Sequence, residues 1–326
     1  MIRWPCAAAP AWPVHAGFLG LSAAAGTAYA LAGDEPRTVV FALMTAVPII
    51  TYLLALGAGH LTDRLPWLTA TAGLGLLALG TAWWPDWISG HHLGRAEGSP
   101  TDLVMAAAHL LFLIGTATAL RRHGQNDPGG LLDAALIGLC AAGPLWEWLI
   151  RPNLPPEATV LGEALLLSDL LLLSAVLGCL LRIGVTAPKA RGPIACLMLS
   201  AVLTLACDVV AVLTVDGDYV WTGGMMMIAY LAVAAGPVLP TGGHITQPAP
   251  APATVRHPPL GWLGAALCAN PLIAAVQAAR GDAPASVVLP VRRCWWCRWW
   301  CCGCGCSPRS GPGPNAPSPT RPTTTN

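Results

Sequence analysis

The chain has 326 residues, of which 55% are hydrophobic and only 10% are charged, whereas about 25% of the residues of a soluble domain are charged. Its apolar residues occur in blocks of about 18–22, the length of helix that crosses ~30 Å of hydrocarbon. These properties exclude a soluble protein with one core and predict an all-α integral membrane protein. The net charge of +1 gives no reason to expect nucleic acid as a partner, so the expected partner is the lipid bilayer.

Nine hydrophobic segments, bounded by proline, glycine and charged residues, are long enough to be candidate membrane spans. In chain order they cover residues 14–32, 38–58, 67–84, 103–120, 131–150, 160–183, 194–215, 225–240 and 259–279. The eighth is short, and Asn270-Pro271 interrupts the ninth. We therefore predict a short N-terminal segment, 1–13, followed by a polytopic membrane domain over residues 14–290.

The first span ends in TAYALAG, which resembles the cleavage site of a signal peptide. Its apolar stretch is longer than the hydrophobic region of such a peptide, and about thirteen residues with three prolines precede it. These two features favour a retained helix over a cleaved leader.

The distribution of lysine and arginine between the short loops predicts the orientation of the bundle. With the N-terminus in the cytoplasm, more of these residues lie inside than outside. The inside set is Arg3, Arg64, Arg121, Arg122, Arg182, Lys189, Arg191 and Arg256, and the outside set is Arg37, Arg95, Arg151 and Arg280. The expected location is the plasma membrane, with multiple passes and a cytoplasmic N-terminus.

After residue 290 the chain changes to VRRCWWCRWWCCGCGC, residues 291–306. One interpretation is a metal site, because Cys294 and Cys297 have the spacing of a zinc-ligand pair. Cys301 and Cys302 would supply further thiols, but no second well-spaced pair follows. A second interpretation is a tail acylated on its cysteines, since cysteines beside a membrane segment are palmitoylation sites.

The third interpretation, which we favour, is a change of reading frame. Tryptophan has the single codon TGG, so a frame that begins on the last base of each codon turns Trp-Trp into Val-Val. Residues 291–306 then become largely apolar and join residues 283–290 in a hydrophobic segment of spanning length. The expected fold is thus a bundle of about nine spans, with a tenth lost to the frame change. The Pro/Ser/Thr-rich tail, 307–326, is predicted to be disordered.

Acidic residues inside the spans are costly in hydrocarbon and mark candidate functional positions. Asp169 in LLLSDLLLLS and Asp208 in LTLACDVVAVL lie deepest. Each needs a partner or must stay protonated, which an interhelical hydrogen bond or a ligand or proton site would explain. Of these two explanations we favour the structural one.

Two further acidic residues lie nearer the ends of a span. Asp133 is close to the start of the fifth span, where a helix-end carboxylate is expected. Glu147 lies between Trp146 and Trp148, the setting of an aromatic belt at the membrane surface. Glu147 and Trp148 remain candidates for an intramembrane polar site, with the belt as the favoured explanation.

Histidines and cysteines within the spans give no specific signal for a cofactor. His109 is expected to be a satisfied polar residue, because haem ligation would need two histidines that face each other across the bundle. His91-His92 have no third ligand nearby, so no metal site is predicted there. Six cysteines in apolar segments are expected to pack as small hydrophobes. No motif of a known enzyme class is found, and no cofactor is predicted.

Within residues 131–240, four segments follow one another in a recognisable order. They read DAALIGLCAAGPLWEWLIRP, GEALLLSDLLLLSAVLGCLLRIG, LMLSAVLTLACDVVAVL and GDYVWTGGMMMIAYLAVAAGPVLP. This order resembles the N-terminal membrane region of actinobacterial multi-pass signalling proteins whose cytoplasmic parts carry GGDEF or GGDEF and EAL domains. The positions that match the family are Asp133, Trp148, Asp169, Asp208, Tyr219 and Tyr230. A departure is GPVLP at residues 236–240, where the family has an Ala-Leu-His-Pro turn.

The resemblance implies a sensory input module that binds a small or lipophilic ligand and controls cyclic-di-GMP turnover. A second copy of the chain is a further candidate partner. The chain carries no residues for the cyclase or phosphodiesterase chemistry, so no enzyme is predicted. On the match to the family, Tyr230 joins Asp169, Asp208, Glu147 and Trp148 as a candidate ligand-site residue. The alternative function is a small-solute transporter or permease that uses the intramembrane carboxylates.

Overall fold

The computed structural model describes residues 11–59, 61, 63–84, 93–123, 138, 140, 142–214 and 220–247. Within these residues the regular structure is helical, without strands, and seven helices are long and apolar enough to cross a membrane. The helices are α1, Trp12–Leu31; α2, Asp34–Gly57; α3, Arg64–Trp83; α4, Pro100–His123; α5, Val160–Thr186; α6, Arg191–Leu213; and α7, Val220–Val238. A π-helical turn, Leu145–Ile150, precedes α5.

The seven helices coincide with seven of the nine predicted spans, and their ends differ from the predicted ends by up to five residues. The predicted eighth span, 225–240, is the largest difference, because α7 already begins at Val220. Two glycines in its first turns are compatible with a helix in lipid, where small residues allow close packing. Gly223 is such a residue, since a Cβ there would lie 2.0 Å from the Tyr29 hydroxyl oxygen of α1.

Several sequence predictions fall wholly or largely outside the described residues. The ninth span, 259–279, the Cys/Trp-rich segment, 291–306, and the tail, 307–326, are not described. Of the fifth span, 131–150, the described part is Gly138, Cys140 and residues 142–150. The proposed thiol ligands Cys294, Cys297, Cys301 and Cys302, together with Asp133 and Tyr219, also lie outside the described part of the chain.

The starts of α4 and α5 are fixed by local hydrogen bonds. At α4, the Ser99 amide donates to the Asp102 carboxylate (2.8 Å) and the Asp102 amide donates to the Ser99 hydroxyl (3.3 Å). This reciprocal pair is a capping box, and Pro100 occupies the first helical position, where the missing N–H costs nothing. At α5, Thr159 caps the helix by accepting from the Gly162 amide (3.0 Å).

Contacts at the helix ends define the relative directions of neighbouring helices. Arg122 at the end of α4 forms an ion pair with Asp63 (2.6 Å), which caps α3, so α3 and α4 are antiparallel. At the start of α5, the Thr159 amide donates to the carbonyl of Ala96 (2.9 Å), which lies just before α4. The helices α4 and α5 are therefore parallel, and both begin at the same end of the bundle.

Parallel neighbours require that the chain between them returns across the bundle. The described residues of the fifth predicted span agree with this requirement. A Cβ on Gly138 would lie 2.7 Å from the carbonyl oxygen of Ser174, in the middle of α5, so this part of the chain lies at the mid-depth of the bundle. Close backbone approach at a glycine is typical of helices that pack within a membrane.

Candidate functional site

A pair of ionisable side chains joins two helices inside the bundle. His109 of α4 and Asp169 of α5 are both buried, and the imidazole Nδ1 contacts the carboxylate Oδ1. Each residue lies nine positions after the first residue of its helix, which is about 14 Å along the axis at 1.5 Å per residue. Because α4 and α5 are parallel, the two residues reach the same depth, near the middle of the bundle.

Asp208 brings a second carboxyl group to this depth. The helices α5 and α6 are antiparallel neighbours joined by the short turn Pro188–Ala190. Asp208 lies at the level of Asp169, because Asp169 precedes this turn and Asp208 follows it by nearly equal lengths of helix. Only 1% of Asp208 is exposed, and neither of its carboxyl oxygens has a hydrogen-bond partner among the described residues. His109, Asp169 and Asp208, which we call the polar cluster, thus come from three helices.

Next to the polar cluster is a cavity of about 110 Å³. Its walls come from α2 to α7, and its lining is mainly apolar and aromatic. On α5 and α6 the spacing of the lining residues follows the helical repeat, which places them on one face of each helix. They are Leu173, Val176, Leu180 and Ile183 on α5, and Leu197, Ser200, Ala201 and Thr204 on α6.

The two ends of the cavity differ in chemistry. His109 of the polar cluster belongs to the lining, and Leu173 and Thr204 lie one helical turn from Asp169 and Asp208, respectively. The other end is formed in part by Ile245 and Thr246, at the close of a 3-10 turn that spans Gly242–Ile245. Both of these residues are buried.

Aromatic side chains complete the wall of the cavity. Tyr230 of α7 packs edge-to-face on Phe41 of α2, with ring centroids 5.9 Å apart, and Tyr52 of α2 packs in the same way on Trp67 of α3 at 5.5 Å. Edge-to-face geometry is favourable for aromatic pairs because the positive ring edge meets a negative ring face. The hydroxyl oxygen of Tyr230 is buried without a hydrogen-bond partner in the described part of the chain.

The five predicted site residues do not all meet in one place. Asp169 and Asp208 belong to the polar cluster, and Tyr230 lines the adjoining cavity. Glu147 is buried on the π-helical turn, where its carboxylate lies 3.6 Å from the guanidinium of Arg151. Trp148 is 47% exposed, and neither it nor Glu147 is among the described residues that line the cavity.

Sequence reasoning assigned no site role to His109 or to most residues of the cavity wall. A buried histidine with a partner fits the expected satisfied polar residue, but its partner, Asp169, is 60 positions away in the chain. The apolar lining carries no signal of its own, because residues around a cavity have the same periodicity as residues of a filled core.

The described cysteines have the packing role that the sequence predicts. Cys140, Cys179, Cys196 and Cys207 are not joined in disulfides, and the Cys207 thiol donates to the Thr222 carbonyl at 3.4 Å. Within the described ranges, no group of three or more histidine, cysteine or acidic residues has an arrangement that could hold a metal ion.

The fold and composition place the chain among multi-pass helical membrane proteins, because seven described helices have the length and hydropathy of membrane spans. Comparisons with protein-family models, with curated proteins and with solved structures return no match.

Proposed function

We propose that this protein is a membrane-embedded sensory input module. It binds a small, largely apolar molecule in the cavity that helices α2 to α7 line. The cavity itself carries the proposal. Its volume, about 110 Å³, is of the order of the ~150 Å³ engineered cavity that remains dry and binds benzene. A mainly apolar site inside the bundle can take up a ligand that has already partitioned into the bilayer.

The chemistry of the lining favours a sensor over a transporter. A carrier site at the bilayer midplane is typically formed by interrupted helices whose free backbone groups bind the solute. Here the described helices that line the cavity, α2 to α7, are continuous, and their lining side chains are mostly apolar. Transport remains the second candidate, because two carboxyl groups lie at membrane depth.

A sensor also needs a contact through which ligand binding in the cavity changes another part of the protein. Ile245 and Thr246 line one end of the cavity, and the turn that contains Ile245 packs against the Pro188–Ala190 turn between α5 and α6. A bound molecule would press on this end and shift the chain that follows. With the N-terminus in the cytoplasm, as the charge distribution of the loops predicts, this end would face the cytoplasm.

The resemblance of the four segments to actinobacterial signalling proteins supports the same proposal. It suggests that the output is control of cyclic-di-GMP turnover by a separate or attached catalytic domain. The chain itself would then act without catalysis, as a receptor in the membrane.

Ligand binding can be tested by thermal unfolding of the purified protein in lipid nanodiscs, with benzene as the probe. A ligand at ten times its Kd stabilises the folded state by about 1.4 kcal/mol, so we expect the Tm to rise with benzene concentration. Ala201→Leu places a larger side chain into the cavity and should abolish the rise. Ala195→Leu adds the same side chain at an exposed position of α6 and should preserve it.

Two results would contradict the proposal. One is a Tm that does not respond to benzene in the wild-type protein. The other is an equal response in the wild type and in Ala201→Leu, which would indicate that benzene acts through the bilayer.

A further inference from the structure

Asp208 is a carboxyl group without a partner in the described fold. It is almost fully buried, and the neighbouring carboxylate, Asp169, already binds His109. Buried polar groups are almost always hydrogen-bonded, so an exception requires an explanation such as a missing ligand. A hydrogen-bonded partner supplied from outside the chain would satisfy both free oxygens of Asp208.

The position of Asp208 connects it to the cavity. Thr204 lines the cavity and precedes Asp208 by one helical turn on the same face of α6. Side chains of an α-helix lean toward its N-terminus and cover the preceding turn. Asp208 is not itself among the described residues that line the cavity. Its carboxyl group leans toward Thr204, so an ammonium group at the polar end, beside His109, must reach past Thr204 to contact it.

We propose that this end of the cavity binds the ammonium group of a small apolar amine, with Asp208 as its anionic contact and the apolar wall around its hydrocarbon part. The inference rests on the proposed function, since it names the ligand class of the same cavity. An amine fits this site better than a divalent metal ion, because no three-ligand group exists among the described residues.

Charge balance explains why a monovalent cation is required. The His109–Asp169 pair has zero net charge whether the proton lies on the imidazole or on the carboxyl group. A charged Asp208 alone would be costly at membrane depth, so the empty site keeps a proton on this carboxyl group. Binding then exchanges that proton for the ammonium ion: the O–H bond of Asp208 breaks, the proton leaves to water, and the carboxylate pairs with the ammonium group.

The exchange predicts a pH dependence set by Asp208. The titratable groups near Asp208 are Asp169 of α5, which contacts His109, together with Cys207 of α6 and Tyr230 of α7. The other elements packed against α6 carry Glu147, Lys189 and His244. One proton is released for each amine bound, so the amine affinity should rise about tenfold for each pH unit while the amine stays protonated, as an alkylammonium does below about pH 10.

The experiment compares cyclopentylamine with cyclopentanol, which has nearly the same shape and no charge. Binding to the protein in nanodiscs of zwitterionic lipid is measured by calorimetry from pH 6 to pH 8. We expect the amine affinity to rise about tenfold per pH unit and the alcohol affinity to stay constant. Asp208→Asn should remove the slope for the amine, and cooperative thermal unfolding of the variant without ligand shows that it is folded.

Each alternative outcome has a distinct meaning. If the alcohol binds and the amine shows no pH slope in the wild type, the amine proposal is wrong and the cavity proposal stands. The amine proposal is equally overturned if Asp208→Asn keeps both the affinity and the slope. If neither compound binds to the wild-type protein, the proposed ligand-binding function fails as well. The pH series on the wild type decides the question without any variant.

Discussion

At the scale of single residues, the two deep carboxyl groups have opposite surroundings although their sequence settings are alike. Both lie in long apolar runs, LLLSDLLLLS and LTLACDVVAVL. Asp169 has a partner in His109, whereas Asp208 has none in the described chain. The structural role favoured from the sequence therefore suits Asp169, and the ligand role is the better hypothesis for Asp208.

This difference predicts opposite effects of the same substitution on stability. Asp169→Leu leaves His109 buried without its partner, and we expect the free energy of unfolding to fall by about 1–2 kcal/mol, as for strong hydrogen bonds between membrane helices. Asp208→Leu removes an unsatisfied polar group, and we expect a gain of about 1 kcal/mol. Denaturation in mixed micelles measures both, and each variant is the control for the other. A loss of stability in both variants would indicate a structural hydrogen bond to Asp208.

At the scale of elements, the contact between α3 and α4 depends on small residues. A Cβ on Gly73 would lie 2.8 Å from a ring carbon of Phe112 and 2.9 Å from the carbonyl oxygen of Ala108. A Cβ on Gly115 would be 2.7 Å from the Thr69 hydroxyl oxygen. Close backbone approach at such positions holds membrane helices together through packing, because the lipid provides no hydrophobic force between them.

Two glycines of α3 provide a matched test of this contact. We expect Gly73→Ala to lower the free energy of unfolding by about 1–3 kcal/mol, because the backbone of α4 must move to admit the methyl group. Gly75→Ala meets nothing within 4 Å and should be neutral or slightly stabilising, since alanine is the better helix former. The pair is compared by thermal unfolding in detergent. Equal effects would contradict the packing described for α3 and α4.

The boundaries of the elements follow largely from local chemistry that the sequence contains. The start of α4 can be recognised in the sequence from Ser99, Pro100 and Asp102, and the start of α5 from Thr159. Hydropathy placed the spans within a few residues of the helices, but it could not identify the start of α7. There, Gly223 belongs to the helix because it packs against Tyr29 of α1, a contact between residues distant in sequence.

At the scale of the whole molecule, the parallel arrangement of α4 and α5 predicts which loops share a side of the membrane. Glu157, just before α5, and Lys189, just after it, should lie on opposite sides. With the N-terminus in the cytoplasm, we expect Glu157→Cys to react with an impermeant maleimide added to intact cells, and Lys189→Cys to react only after lysis. The wild-type protein controls for native thiols. The reverse result would mean that the N-terminus is outside, and labelling of both from outside would contradict the spanning of α5.

The change of reading frame after residue 290 stays a prediction, because the Cys/Trp-rich segment lies outside the described residues. Sequencing the gene across the codon for residue 290 and the region downstream would test whether the reading frame changes there. An alternative frame that continues into an apolar span and a soluble domain supports the lost tenth span. A frame that ends at once removes the explanation.

Sequence by itself determined the class of this protein and the approximate position of seven helices. Hydrocarbon thickness fixes the length of a span, and buried backbone in lipid must be helical, so composition is sufficient for both. Tertiary structure alone decided which polar residues meet and where the cavity lies. His109 and Asp169 are brought together only by the parallel packing of two helices, and a cavity is a property of how several helix faces fit, which no single stretch of sequence contains.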